Sequence, residues 1–233
     1  MSRPKSLYDL QQIDSQLDSY AVRLGEIEAE LADDHAVQAA LAKAEAAEQD
    51  LQEAEKALRL AEQAVQDQDY KIKQSQNRLY SGSVTNPKEL EDIQNEVEAL
   101  KRYREVLEER LLEAMLVVDD AEERYDQAQD QLEHARAQRS QKEAKLKGEK
   151  AQIEKHAAQL EEQRKNQIAG ISEADLETYK KIRLKRGGVA VAKVDNQGCS
   201  ACGATLGTAA YQAARSPSQL TFCDTCGRIL FTE

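Results

Sequence analysis

"SGSVTNPKEL", residues 81–90, decides the fold. It interrupts two long runs of Ala, Glu, Gln, Leu and Lys and ends the first of them. Gly82 tolerates backbone angles that other residues avoid. Asn86 suits the cap of a new helix, Pro87 its first position, and Glu89 the place where a capping box puts its acid. One helix therefore stops here and another starts.

Working back from this break, apolar residues recur every three or four positions. Leu10, Ile13, Leu17, Tyr20, Leu24, Ile27 and Leu31 come first. The phase slips by one after Asp33-Asp34-His35. It resumes through Val37, Ala44, Leu51, Leu58, Val65, Ile72 and Leu79. Beyond the break, Leu90, Ile93, Val97, Leu100, Arg104, Leu107, Leu111, Ala114 and Val118 open a second heptad seam. It runs on to Leu132 and, more weakly, through Leu146, Ile153 and Leu160. At ~1.5 Å per residue each helix would extend roughly 100–120 Å.

Matched lengths and a short connector point to an antiparallel hairpin over residues 1–170 with its tip at 81–88. The register pairs Leu58 with Leu111, Leu51 with Val118, Val37 with Leu132, Leu24 with Leu146 and Leu10 with Leu160. The competing arrangement is an intermolecular coiled coil without fold-back. Gly25 and Gly148 fall near one level and form either a soft hinge or two tolerated surface glycines. Leu112, Met115 and Leu116 lie off the seam on a shared face. They are a partner-binding surface or harmless exposed aliphatics.

Composition agrees with a narrow seam. Of 233 residues, 32% are charged, 4% are aromatic and none is Trp, so no wide core can be filled. Net charge is −11, distributed unevenly. Residues 1–170 hold 24 basic and 37 acidic side chains, a net of −13, while residues 171–233 hold 8 and 6, a net of +2. Contact with phosphate is therefore expected only near the C-terminus. "LLEAMLVV", 111–118, is far short of the ~20 apolar residues that span a bilayer. "MSRPKSLYDL" has no apolar signal core, so a cytoplasmic location and no membrane partner are expected.

Residues 171–188 read as a basic linker helix, capped by Ser172 and stopped by Gly187-Gly188. Lys180, Lys181, Arg183, Lys185 and Arg186 crowd its end, beside Tyr179. Cations favour a helix C-terminus electrostatically. The alternative reading is a nucleic-acid-binding patch for RNA or DNA.

"VAVAKV", 189–194, reads as a strand and opens a module of residues 189–233. Cys199 and Cys202 form one Cys-x-x-Cys knuckle and Cys223 and Cys226 another. Together they suit a tetrahedral four-thiolate site, for which Zn2+ is the usual occupant. Four cysteines leave no position open for water, which makes the one zinc structural. Gly203 and Gly227 follow the knuckles and allow tight turns. "QLTF" and "RILFT" read as further strands. Thioredoxin-type redox chemistry is the other use of such pairs, but it needs one pair in a βαβ setting. Tyr211, Phe222 and Phe231 either stack bases or cover the small core. His35, His134 and His156 fall off the seam as solvated groups. No phosphate loop or nucleophile elbow occurs, so neither an enzyme nor a small-molecule substrate is expected.

The fold class expected is thus mostly α: a long antiparallel coiled-coil helical hairpin followed by a small C-terminal β zinc ribbon. "LYSGSVTNPKELEDIQNEVEALKR" at 79–102, "YKKIR" at 179–183 and "CSACG…CDTCGRILF" resemble a bacterial family of C4-type zinc-ribbon proteins with such a hairpin. The resemblance implies a cytoplasmic adaptor that binds nucleic acid and protein partners. Relatives are linked to flagellar assembly, an alternative sigma factor or messenger RNA. A purely protein-binding chaperone or scaffold is the other role it allows. The knuckles depart from the family's pattern, since Ser200-Ala201 and Asp224-Thr225 lack its proline.

Overall fold

A computed structural model describes residues 2–232. In order, its elements are α1 (Arg3–Ala32), α2 (His35–Tyr80), α3 (Pro87–Ala169), α4 (Glu173–Lys185), β1 (Val191–Asp195), β2 (Gly198–Cys199), α5 (Thr208–Ala214), β3 (Thr221–Phe222) and β4 (Ile229–Phe231). The chain is mostly helical, with a long helical hairpin and a small C-terminal sheet. It divides into two units. Asp34–Lys142 is the hairpin unit. Met1–Asp33 with Glu143–Glu233 is the ribbon unit.

In the hairpin unit α2 and α3 pack antiparallel within one chain. Val37 and Ala44 share a core layer with Ala128 and Leu132. Leu51, Ala54 and Leu58 share another with Val118 and Ala121. These layers keep the register read from the heptads, and the fold-back removes the intermolecular alternative. At the tip Gly82 takes a φ of +73°. The Asn86 side chain accepts the Lys88 N–H at 3.1 Å, and Pro87 begins α3. Two buried seam positions of α2 are polar. Gln68 is 2% exposed and donates to the Leu100 carbonyl at 2.9 Å, and Ser75 is also buried. Arg104 stays half-buried, its Nε 2.8 Å from Asp69 and a terminal nitrogen 2.6 Å from Glu108, so its charge keeps partners.

The phase slip at residues 33–35 is a break in the helix. Asp33 is extended and Asp34 precedes a new helix, with the Val37 and Gln38 amides donating to its carbonyl. The unit boundary falls here and at Lys142–Glu143. Gly25 and Gly148, by contrast, lie inside uninterrupted helices on exposed faces, and a Cβ at either would meet nothing within 4 Å.

In the ribbon unit Ile27, Leu146 and Ile153 form a coiled-coil layer with Leu24. Nearer its start α1 leaves that pattern. Leu10, expected opposite Leu160, is completely buried in a different core with Leu7, Tyr179, Val191, Ile229 and Phe231. The first turns of α1 therefore belong to the ribbon's core, where a fused apolar face fills volume that a two-helix seam lacks.

The sheet order is β2-β1-β4-β3. β1 and β4 are parallel, Val191 opposite Ile229. β1–β2 and β3–β4 are antiparallel. Strand alternation divides the side chains. Ile229, Phe231 and Val191 face α1 and α4, while Leu230 and Ala192 face the cysteines. The sheet thus links a helical core to the cysteine cluster. β3 is shorter than "QLTF" suggested, and the short helix α5 lies between the knuckles, where no apolar period marked it.

Candidate metal centre and basic patch

The knuckles are built by backbone turns. The Gly203 amide donates to the Cys199 carbonyl at 2.8 Å and the Gly227 amide to the Cys223 carbonyl at 2.7 Å. Gly203 and Gly227 have φ of +73° and +68°, which a side chain would strain. β2 carries Cys199 against β1, and the Cys223 amide donates to the Arg228 carbonyl beside β4.

All four sulfurs lie within 4.8 Å of one another. Cys199 and Cys226 are 3.8 Å apart, as are Cys202 and Cys223. That is too far for disulfides, whose S–S bond is ~2.05 Å, and the four cysteines are free. It matches the ~3.8 Å edge of a tetrahedron with metal–sulfur bonds of ~2.3 Å. Cys199, Cys223 and Cys226 are buried and Cys202 is exposed. Burial pushes the Cys199 thiol up to about 12. At Cys226 burial also pushes upward, but the backbone and side chain of Arg228 and the neighbouring cysteines outweigh it and lower the thiol to about 6. Crowded thiolates need a cation to offset their repulsion, so these residues fit a metal ion.

α1 holds the ribbon through side chains whose partners are remote in sequence. Gln11 accepts the Ala190 and Val191 amides, both at 2.6 Å, and donates to the Val191 carbonyl at 2.8 Å. It completes hydrogen bonds that β1 would otherwise leave buried and unpaired. Tyr8 stacks on Phe231 at 5.0 Å, with the Lys193 ammonium 5.2 Å from the Tyr8 ring centre. Arg3 grips Asp175 through two nitrogens, at 2.9 and 2.6 Å. Hydrogen bonding to Arg3 holds the Asp175 carboxyl below its ordinary 3.8.

Asp14 is the hub. It is 4% exposed, accepts Tyr179 Oη–H at 2.7 Å and pairs with Arg164 at 2.6 Å. Arg183 donates to the Asp14 carbonyl and pairs with Asp18. Burial and the Asp14 carboxylate raise the Tyr179 hydroxyl well above its usual range. One carboxylate on α1 thereby ties down both α3 and α4. None of Gln11, Asp14 or Asp18 was singled out from sequence. The "YKKIR" stretch was the one signal available, since it holds Tyr179 and Arg183.

The five cations of α4 divide. Ser172 caps the helix by accepting the Asp175 amide, and Gly188 closes it onto the Arg183 carbonyl. Lys180, Lys181, Lys185 and Arg186 are exposed, and Lys181 reaches Glu177 at 3.8 Å. Arg183, grouped with them by sequence, is 25% exposed and held by Asp14 and Asp18. Tyr211 packs against the cysteine core and Phe231 is buried, so both are core residues. Phe222 is 42% exposed. His35, His134 and His156 are exposed. On α3, Leu112, Met115 and Leu116 are exposed in the hairpin unit. Among the described residues no helix is long and apolar enough to cross a membrane.

A helical hairpin joined to a four-cysteine module defines a class of coiled-coil proteins with a candidate metal centre. Residues 10–187 match the model of the CT398-like coiled coil hairpin domain, and the chain belongs to that family. The match stops before the first cysteine. CT398 from Chlamydia trachomatis is similar over 99% of this chain and 98% of its own, at 21% identity and a TM-score of 0.75. A structure from Mycobacterium smegmatis is similar over 99% and 100%, at 21% identity and a TM-score of 0.67. HP0958 from Helicobacter pylori is similar over 98% and 96%, at 19% identity and 0.50. At these identities the likeness is one of fold. No curated protein matches the chain.

Proposed function

We propose that the chain is a non-enzymatic adaptor. Cys199, Cys202, Cys223 and Cys226 hold one Zn2+, Lys180, Lys181, Lys185 and Arg186 contact nucleic-acid phosphates, and the hairpin docks protein partners. Four sulfur ligands fill the ion's coordination, so it supplies folding energy and no reactive water. Elemental analysis of the reduced protein should give one zinc per chain. A chain free of metal with an intact ribbon contradicts that assignment.

The observation that carries the nucleic-acid contact is the exposure of those four cations, with Arg186 reaching the second knuckle. An Arg186 guanidinium nitrogen lies 4.0 Å from the Cβ position of Gly227. The ribbon unit also has nearly balanced charge, 17 basic against 18 acidic side chains, whereas the hairpin unit has 15 against 25. Titration of labelled single-stranded RNA and duplex DNA tests it. Four phosphate contacts on a single strand give a log–log salt slope of about −3. Reversing all four charges should abolish it. Absence of binding at low salt sinks the contact.

A second reading is a protein-binding scaffold or chaperone with the same zinc and no nucleic-acid contact. The engagement of Arg183 by Asp14 and Asp18 favours it, because the patch loses its central cation. A transcription or flagellar component as the partner rests on the family resemblance alone.

A further inference from the structure

We propose that Leu112, Met115 and Leu116 form a docking site for an amphipathic protein helix with basic flanks. The three are 61%, 47% and 68% exposed. Their spacing of three and four residues puts them on one face of α3. The hairpin does not need them, because its seam is made by the neighbours Leu111, Ala114 and Val118.

Acids close both ends of this face. Glu108 and Glu109 stand one turn before Leu112, and Asp119 and Asp120 one turn after Met115 and Leu116. Glu108 is occupied by Arg104, and Asp120 by Arg124 at 2.5 Å. Glu109 and Asp119 have no ion pair among the described residues. An apolar triangle thus lies between two free carboxylates about 15 Å apart along the helix.

That pattern selects its occupant by charge. A helix with an apolar stripe and Lys or Arg about ten residues apart would cover the triangle and meet both acids. Nucleic acid and anionic lipid are repelled. A second copy is disfavoured too, because it would bring acids against acids in a unit of net charge −10, from 15 basic and 25 acidic side chains. The inference rests on reading the hairpin as a protein-docking element. Its assay contains no nucleic acid, so it and the phosphate contact of the ribbon fail separately.

The probe is a fluorescein-labelled helical peptide of about 18 residues, with leucines along one face and lysines flanking them. Its counterpart has glutamates for lysines. Each is titrated against the full chain. The lysine peptide should bind and the glutamate peptide should not. Leu112→Ser with Leu116→Ser should weaken binding about tenfold or more. Glu109→Lys with Asp119→Lys should weaken the lysine peptide and admit the glutamate one. Unchanged helicity and zinc content confirm that the variants are folded. No binding of the lysine peptide, equal binding of both peptides, or indifference to the substitutions overturns the proposal. So does a wild-type dimer in sedimentation that the leucine substitutions dissolve, since the occupant is then a second copy.

Discussion

The hairpin unit and the ribbon unit solve the same problem in opposite ways. The hairpin unit buries small residues in repeated layers, such as Ala44 with Leu132 and Ala54 with Val118, and each layer touches only its neighbours. The ribbon unit concentrates its connections. Gln11, Asp14 and Arg3, all on α1, bind residues more than 140 positions away, and four cysteines meet at one point. Stability in the first is distributed, whereas in the second it rests on a few groups. A substitution should therefore matter locally in the hairpin unit and globally in the ribbon unit.

The largest effect is expected at the cysteines. Cys223→Ser should remove nearly all bound zinc and the ribbon's fold, since structural sites of this kind contribute roughly 10–16 kcal/mol of metal binding to folding. Elemental analysis and far-UV circular dichroism should show lost metal with most helix retained. Retention of zinc by the serine variant would erase the contrast between the units.

Next comes Asp14→Ala. It leaves the buried Tyr179 hydroxyl without its acceptor and the more exposed Arg164 without its partner, and should cost about 1–3 kcal/mol. The loss is expected in the ribbon unit's transition and not in that of the hairpin unit. Asp175 sharpens this pH by pH. Its carboxyl is held below 3.8 by Arg3, so their ion pair contributes above that value and is lost only as pH falls through the lower one. Between pH 5 and 8 its contribution is constant. Destabilisation of the ribbon unit in that window then reports thiolate protonation and metal release, and Asp175→Asn should leave its pH profile unchanged there.

Smaller effects belong to the coiled-coil layers. Gln68→Leu replaces a buried amide by an apolar seam residue and should leave the hairpin unit equally or more stable, within about 1 kcal/mol. Gly25→Ala and Gly148→Ala should each stabilise by up to ~1 kcal/mol, because the added methyl meets no neighbour. Thermal denaturation reads all three. A marked loss at either glycine would restore the hinge that the continuous helices argue against.

The same contrast explains what the sequence could reveal. The hairpin was legible because its contacts are periodic, so Leu51 announces Val118 through spacing alone. The four-cysteine cluster was legible because each knuckle is local, two residues between thiols. Leu10 was misassigned to the seam because its spacing is identical in a coiled coil and in the ribbon's core. Gln11 and Asp14 carried no signal, since a polar residue on a helix reads as solvated until its remote partners are placed. The pairing of Arg183 with Asp14 and Asp18 carried no signal for the same reason. Seven residues without an apolar period left α5 unmarked.

Hydrogen exchange followed by mass spectrometry, with and without a zinc chelator, tests the division most directly. If a metal clamps the ribbon and layered seams hold the hairpin, the chelator should abolish protection across residues 189–232 and leave α2 and residues 87–142 of α3 unchanged. Protection that persists in the ribbon without metal, or that disappears from the hairpin with it, would contradict a metal-dependent ribbon beside a self-sufficient coiled coil.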